Sequence, residues 1–282
     1  MRRPQDIAVE EADMTTIVGL TSAFESLASM RISQTKTQVL QSQAFFNEIW
    51  HIYSQLRVDS LFRFGRIEGE KVNHKSLFIA VTAEGGFSGD IDQKLISVLL
   101  KDYDESKHDL VIIGHHGAVQ LAQAKVNFLK SYKLPTKDTN INVQPLIQMV
   151  KKYNSTTVYY QTYVSLTVQD VKRIELNSAV QLAGDLAGST SEAISEANYI
   201  FEPSAYAVVA HLERSMLEIT LSQVILDSKL AQYASRFRAM TAAHDKAGES
   251  LADLHMLYNR TKRNIADERL KEILNSRIRV EV

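Results

Sequence analysis

The last third of the chain carries an apolar repeat with a mean spacing of 3.5 residues, and this repeat restricts the fold more than any other feature. Alternating steps of three and four residues from Val209 reach Ile265 through mostly apolar positions. A sustained 3.5-residue repeat is typical of a helix that winds around a partner helix, because a core helix repeats every 3.6 residues. Residues 204–275 contain no proline, and Gly248 is their only glycine. We therefore predict one unbroken helix over residues 204–275.

A second long helix is predicted over residues 12–61. It carries two apolar stripes, one at Ile17, Leu20, Phe24 and Leu27 and the other at Val39, Phe46, Ile49, Tyr53 and Leu56. The stripes are out of phase across polar residues 33–38, which indicates a stutter. Two amphipathic helices at opposite chain ends bury their stripes most simply against each other, so we predict an antiparallel coiled coil. Its expected core comprises Leu20, Phe24, Leu27, Leu230, Tyr233, Phe237, Met240, Leu251, Leu254 and Tyr258.

The middle of the chain alternates apolar strands with helices. An apolar run at residues 76–82 precedes a glycine-rich turn at 84–89 and helical spacing at 91–103, and a second run at 109–114 precedes a predicted helix at 118–130. A third helix at 145–153 and an alternating strand at 156–167 follow, whereas residues 177–196 look like a loop or a weakly ordered helix. This order is typical of a mostly parallel sheet that is covered on both faces.

The predicted fold class is therefore α/β, with a Rossmann-like domain inserted between the two arms of the coiled coil. The expected segments are an N-terminal coiled-coil helix at residues 1–68, the α/β domain at 69–203 and a C-terminal coiled-coil helix at 204–282.

Composition excludes several classes of protein. The chain has 32 Lys and Arg residues against 33 Asp and Glu residues, which gives no overall case for nucleic-acid binding. The absence of cysteine excludes disulfides, thiol nucleophiles and cysteine-based zinc sites. The apolar runs are shorter than the roughly 20 residues that a bilayer requires, and no secretory signal is visible. We expect a protein that is soluble or peripheral to a membrane.

Two motifs resemble small-molecule sites, and neither is complete. The glycine-rich turn lies where an open α/β sheet binds phosphate, but it lacks dinucleotide and P-loop spacing, and Glu84 and Asp90 would repel an anion. His115 and His116 follow the second apolar run, but no third metal ligand lies at helical spacing from them. Without a serine, histidine and acid constellation or paired carboxylates, we predict no catalytic, cofactor-binding or metal-binding residues.

Specific sequence blocks point to a family. Residues 236–247 are similar to the pattern R-M-x-A-M-x-x-A-x-x-N-A, and residues 254–263 are similar to L-x-x-x-Y-N-R-x-R-Q. Residues 82–92 match T-S-D-R-G-L-C-G-G-F-N without a gap, residues 199–204 are similar to Y-x-Y-E-P-S, and residues 20–32 are similar to I-T-x-A-M-x-x-V-A-x-x-K-L. These blocks belong to the gamma subunit of F-type ATP synthases, which the chain resembles along nearly its whole length.

The resemblance implies a central rotor shaft that couples rotation of a membrane ring to ATP synthesis or hydrolysis in an alpha/beta head. The implied partners are the alpha and beta subunits, an epsilon subunit and the membrane c-ring, at the cytoplasmic face of a bacterial membrane, and the shaft itself is non-catalytic. The residues expected to contact the head are Arg31, Arg236, Lys246, Arg260, Lys262, Arg263, Ile278, Val280 and Val282.

The chain also departs from the family patterns. Glu10–Asp13 replace a basic start, Lys246 replaces an asparagine, Lys262–Arg263 replace R-Q, and Ser276–Arg279 replace G-A-x-A. Two alternatives therefore stay open. One is the shaft of a divergent ATPase that is not coupled to an ion ring, and the other is an unrelated α/β module with coiled-coil arms that binds a small anion.

Overall fold

The computed structural model describes residues 3–55, 73–139, 141–176, 202 and 204–280. Within these ranges the elements follow in this order: α1 Pro4–Gln55, β1 Ser76–Val81, α2 Ile91–Asp102, β2 His108–Ile113, α3 His115–Gln123, β3 Lys130–Tyr132, α4 Gln144–Val150, β4 Thr156–Tyr163, β5 Gln169–Glu175 and α5 Ala205–Val280. The chain divides into two compact units, which we call the sheet unit (residues 28–236) and the end unit (residues 1–27 and 237–282). These boundaries differ from the predicted segments because residues from both long helices pack within the sheet unit.

The sheet unit is built on a five-stranded sheet with the order β3-β2-β1-β4-β5. The first four strands are parallel, and β5 is antiparallel to β4. Alternate residues of β1 face opposite sides: Phe78 and Ala80 pack with α2 and α3, whereas Leu77 and Ile79 pack with α4 and α5. A central parallel strand must be apolar on both faces, which explains the uninterrupted apolar sequence of β1. The predicted mixed α/β class is confirmed.

Two elements of the sheet differ from the sequence prediction. The predicted helix at 118–130 begins at His115 and ends at Gln123, because Lys125 has a left-handed φ of 57° and Val126 N–H donates to Leu121 O at 3.0 Å. The predicted strand at 156–167 ends at Tyr163, where the chain reverses into β5. The sequence analysis missed β5 because an edge strand with one exposed face carries many polar residues.

Within the sheet unit, α5 is apolar on two sides. Leu217, Leu221 and Ile225 belong to the core beneath the sheet, while Met216 and Ile219 pack with Phe46 of α1. A helix that is covered on both sides has apolar residues around most of its circumference. The buried surface of α5 is therefore wider than the single apolar stripe that the repeat predicted.

The buried side of α1 is continuous. Ile7, Thr21, Ala28 and Thr35 are buried and are separated by multiples of seven residues. After Thr35 the half-buried Val39 and Ser42 and the buried Phe46 continue the same repeat in steps of four, three and four residues, so the stutter predicted at residues 33–38 is wrong. Threonine can be buried at position 21 because its Oγ1 donates to Ile17 O within the same helix, at 2.9 Å.

The core assignment of three α1 residues is corrected by this pattern. Leu20 and Leu27 are 54% and 51% exposed, and Phe24 is 37% exposed. The sequence analysis chose the largest apolar side chains, whereas the structure buries the smaller residues that follow Leu20 and Leu27, namely Thr21 and Ala28.

In the end unit, α1 and α5 lie side by side and antiparallel. Thr241 Oγ1 donates to Glu25 Oε1 at 2.7 Å, and His255 Nδ1 lies 2.9 Å from Glu11 Oε1. Earlier residues of α1 therefore meet later residues of α5. The buried α5 positions Met240, Ala247 and Thr261 fall on the predicted repeat. No helix within the described ranges has the length and apolarity needed to span a membrane.

The burial pattern predicts opposite outcomes for two leucines on the long helices. Replacing the fully buried Leu217 with Ala should lower the free energy of unfolding by about 2–5 kcal/mol, since it removes apolar contacts and leaves a cavity. The matched change Leu20→Ala should cost about 0.5 kcal/mol or less, since Leu20 is exposed. Urea unfolding of the purified chain measures both, and equal losses would contradict the corrected assignment of α1.

Candidate functional site

The candidate site lies at the edge of the sheet where the carboxyl ends of β1, β2 and β4 meet, which is where open α/β sheets place functional groups. The glycine-rich turn follows β1, α3 follows β2, and residues 228–236 of α5 contact the same edge. We name this cluster the carboxyl-edge clamp. It comprises residues 83–90 of the turn together with Asp92, Gln161, Ser228, Gln232, Ser235 and Arg236.

In the clamp, side chains of α5 donate hydrogen bonds to backbone carbonyl oxygens of the glycine-rich turn. Ser235 Oγ, which is buried, donates to Ser88 O at 2.7 Å. Arg236 Nε donates to Gly86 O at 3.1 Å, and Arg236 Nη2 donates to Gly85 O at 3.3 Å. Burial lowers the pKa of the Arg236 guanidinium, which remains a strong cationic donor. These contacts fix the glycine-rich turn against residues 235–236 of α5.

The backbone of the turn explains why residue 89 is a glycine. Phe87 and Gly89 have φ values of 64° and 66°, in the left-handed region that glycine tolerates best. A Cβ on Gly89 would also lie only 3.3 Å from Ser235 Oγ. A phosphate loop binds its anion with backbone N–H groups, whereas this turn directs carbonyl oxygens at a cation. The geometry thus favours the tight-turn interpretation of the sequence over an anion site.

A buried polar chain connects the turn to α5 through the sheet. Asp92 Oδ1 accepts hydrogen bonds from Ala83 N–H at 3.1 Å and from Gln161 Nε2 at 2.8 Å. Gln161 Oε1 in turn accepts from Ser228 Oγ and, at 3.2 Å, from Gln232 Nε2. Burial raises the pKa of the Asp92 carboxyl, while the Ala83 hydrogen bond opposes that shift. Each buried group depends on the next, so removal of one leaves others without partners.

A buried ion pair makes a second connection between α5 and the rest of the sheet unit. Lys229 Nζ pairs with Asp138 and donates to Pro135 O at 2.7 Å, and both charged side chains are almost fully buried. Thr35 Oγ1 of α1 donates to Asp138 Oδ2 at 2.9 Å. Asp138 therefore links α1 and α5 through one carboxylate.

The predicted contact residues occupy three kinds of position. Arg236 is turned inward to the clamp, so the structure gives it a contact within the chain. Arg31 is exposed beside an open polar groove that also includes Lys137. Four predicted contact residues are exposed cations of the end unit, namely Lys246, Arg260, Lys262 and Arg263. The side chains of Ile278 and Val280, and the whole of Val282, lie outside the described residues.

The remaining core predictions fall at buried or half-buried positions of α5. Leu230 and Met240 are buried, and the half-buried residues are Tyr233, Phe237, Leu251, Leu254 and Tyr258. His116, one of the two adjacent histidines, lies beside Asp92. Across the described ranges, no group of three or more histidine, aspartate or glutamate side chains is arranged to hold a metal ion.

Sequence reasoning missed the main residues of the clamp. Ser228, Gln232 and Ser235 lie in the most buried part of α5, as does Lys229 of the neighbouring ion pair, and Gln161 lies in the largely buried strand β4. The available signal was the recurrence of short polar side chains inside apolar segments, which indicates paired buried groups.

Comparison with known proteins gives one consistent result. The family model described as ATP synthase matches residues 8–276. The ATP synthase gamma chain of Xylella fastidiosa is 24% identical over 277 residues, covering 90% of this chain and 91% of that protein. The gamma chain of Clostridium novyi is 22% identical over 266 residues, covering 90% of each chain.

Solved structures show the same fold at lower identity. A chain in the OSCP/F1/c-ring structure of Euglena gracilis mitochondrial ATP synthase aligns with a TM-score of 0.66 at 13% identity, covering 97% of this chain and 94% of its own. A chain in the central stalk and c-ring of Tetrahymena thermophila mitochondrial ATP synthase has a TM-score of 0.58 at 16% identity, covering 79% of this chain and 99% of its own. The family match over nearly the whole chain, together with this fold, shows that the chain belongs to the ATP synthase gamma subunit family.

Proposed function

We propose that this chain is the central rotor shaft of an F-type ATP synthase. In this proposal α1 and α5 form an antiparallel coiled coil, and the sheet unit is the Rossmann-like domain at its foot. The hydrogen bonds Thr241–Glu25 and His255–Glu11 support the antiparallel pairing. The repeat on α5 supports the supercoil. Nucleotide chemistry belongs to the alpha and beta partners, and the shaft acts mechanically.

The observation that carries the proposal is the carboxyl-edge clamp. A rotor shaft has to transmit torque, so α5 must not turn about its own axis against the sheet unit. The hydrophobic effect that buries α5 is non-directional, and its side chains resist such turning through steric contact. The buried hydrogen bonds of Gln161 and Ser235 have defined directions and are lost when α5 rotates. From Arg236 the same helix continues directly into the end unit at Phe237.

The proposed mechanism requires only differential contact. A rotating, asymmetric shaft presents a different side to each catalytic site, so each site is shifted in turn between open and closed states. We assign polar contacts with the alpha/beta head to the exposed cations Arg31, Lys246, Arg260, Lys262 and Arg263, and apolar contacts to the terminal residues Ile278, Val280 and Val282. Epsilon and the c-ring bind at the foot, which places the chain peripherally at the cytoplasmic face of the membrane.

One alternative remains within the same family. The altered segments Glu10–Asp13 and Ser276–Arg279 suit a divergent ATPase whose shaft is not coupled to an ion ring. The other alternative, an unrelated anion-binding module, is excluded by the family match over residues 8–276.

Purification of the native assembly tests the proposal. With an affinity tag at the exposed Gln123, the last residue of α3, the chain should bring down alpha, beta, epsilon and c subunits, each identified by mass. An assembly with alpha and beta but no ring would support the divergent ATPase. A chain that purifies without alpha and beta subunits would contradict the shaft proposal.

Gln161→Leu should weaken torque transmission. The substitution leaves Asp92, Ser228 and Gln232 without their buried partner, which costs about 1–3 kcal/mol of stability for an unsatisfied group. We expect the assembled complex to keep hydrolysing ATP while the number of ions pumped per ATP falls. The control Gln123→Leu changes an exposed glutamine in the same way and should leave this ratio unchanged. An unchanged ratio in Gln161→Leu would show that the clamp does not carry torque.

A further inference from the structure

Asp92 and His116 form a contact that the clamp itself does not require. His116 Nδ1 lies 3.3 Å from Asp92 Oδ2, within the distance of an ion pair. Asp92 is 1% exposed, and within the described residues Oδ2 has no hydrogen-bond partner. The second carboxylate oxygen is thus buried beside an imidazole whose charge depends on pH.

His116 also touches the glycine-rich turn. Its backbone N–H donates to Ala83 O at 3.0 Å. Its ring Nε2 lies 4.0 Å from the position that a Cβ on Gly86 would take. Gly86 is one of the two glycines whose carbonyls bind Arg236. The imidazole therefore stands between the buried carboxylate and the segment that α5 holds.

The other groups around Asp92 are fixed in charge or directed elsewhere. Arg236 on α5 attracts the carboxylate from a distance, and Gln161 on β4 is neutral. Glu84 in the turn is directed at Leu134, whose N–H donates to Glu84 Oε2 at 3.1 Å. Among the described residues, His116 is the titratable side chain within ion-pair distance of Asp92.

We propose that Asp92 and His116 form a protonation-sensitive brace that tightens the glycine-rich turn against α2 and α3. When His116 carries its proton, the imidazolium offsets the buried carboxylate and holds the turn in the position from which it contacts α5. When His116 is neutral, the carboxylate loses this charge partner and the turn opens more often. If the chain is the rotor shaft proposed above, the stiffness of the joint between α5 and the sheet unit depends on pH.

The direction of the effect follows from the two ionisations. The charge pair requires an ionised Asp92 and a protonated His116. Burial raises the pKa of Asp92, so the pair is lost at the acid end as that carboxyl takes up a proton. At the alkaline end the pair is lost once the imidazole gives up its proton, because Asp92 then has no positive partner in contact.

Amide hydrogen exchange of the purified full chain tests the brace. Exchange in peptides that cover residues 83–90 is measured from about pH 6 to pH 8.5 and divided by the rate for the same peptide unfolded, which removes the intrinsic pH effect. We expect protection to fall by roughly fivefold toward alkaline pH, because a hydrogen bond or contact between charged groups is stronger than a neutral one.

Two variants and one control test whether the pH dependence of protection comes from the Asp92–His116 pair. His116→Gln should make protection independent of pH, and Asp92→Asn should do the same while keeping an oxygen for Ala83 N–H and Gln161 Nε2. His115→Gln, at the exposed neighbouring histidine, should keep the wild-type pH dependence. The proposal is overturned by flat wild-type protection, or by a pH dependence that survives in both His116→Gln and Asp92→Asn. Because the isolated chain is measured, either result leaves the shaft proposal to be decided by co-purification.

Discussion

The side chain of Gln161 makes hydrogen bonds to Asp92 and to α5, and these bonds fix the orientation of α5 on the sheet. Its amide connects Asp92, and through it the glycine-rich turn, with Ser228 and Gln232 on α5. Each such bond contributes only about 0.5–1.5 kcal/mol net, less than the burial of one large apolar side chain. The apolar contacts of Leu217 and Leu221 therefore supply most of the stability. The polar chain supplies the orientation, since only one angle of α5 about its axis satisfies all its members.

Charge is used in two ways along the same helix. Lys229 and Asp138 are buried together, and such a pair contributes specificity rather than large net stability because both ions lose their hydration. Thr35 extends the pair to α1, so both long helices have fixed positions in the sheet unit. In the end unit, by contrast, Lys246 and Arg260 are exposed. A shaft requires this division, with fixed contacts where it is held and an exposed polar surface where it turns.

The sequence predicted elements whose signal is a long or uniform pattern. The 3.5-residue repeat located α5, and apolar runs located β1 and β2. Prediction from the sequence failed where one local contact decides the structure. Lys125 ends α3 by taking a left-handed conformation, and Thr21 and Ala28 lie at buried α1 positions although larger apolar residues are adjacent. The clamp residues were missed for a related reason. The role of a serine or glutamine in a buried segment depends on a hydrogen-bond partner that lies far along the chain.

The most direct test of the account is to lock the clamp. The chain contains no cysteine, so Ser88→Cys with Ser235→Cys introduces a single possible disulfide at a contact seen in the structure. Rotation and ion pumping by the assembled complex are then measured under oxidising and reducing conditions. If α5 and the turn move as one body, the cross-linked complex should rotate and pump as well as the reduced one. Loss of rotation on oxidation, restored by reduction, would show that α5 moves against the turn and would contradict the account.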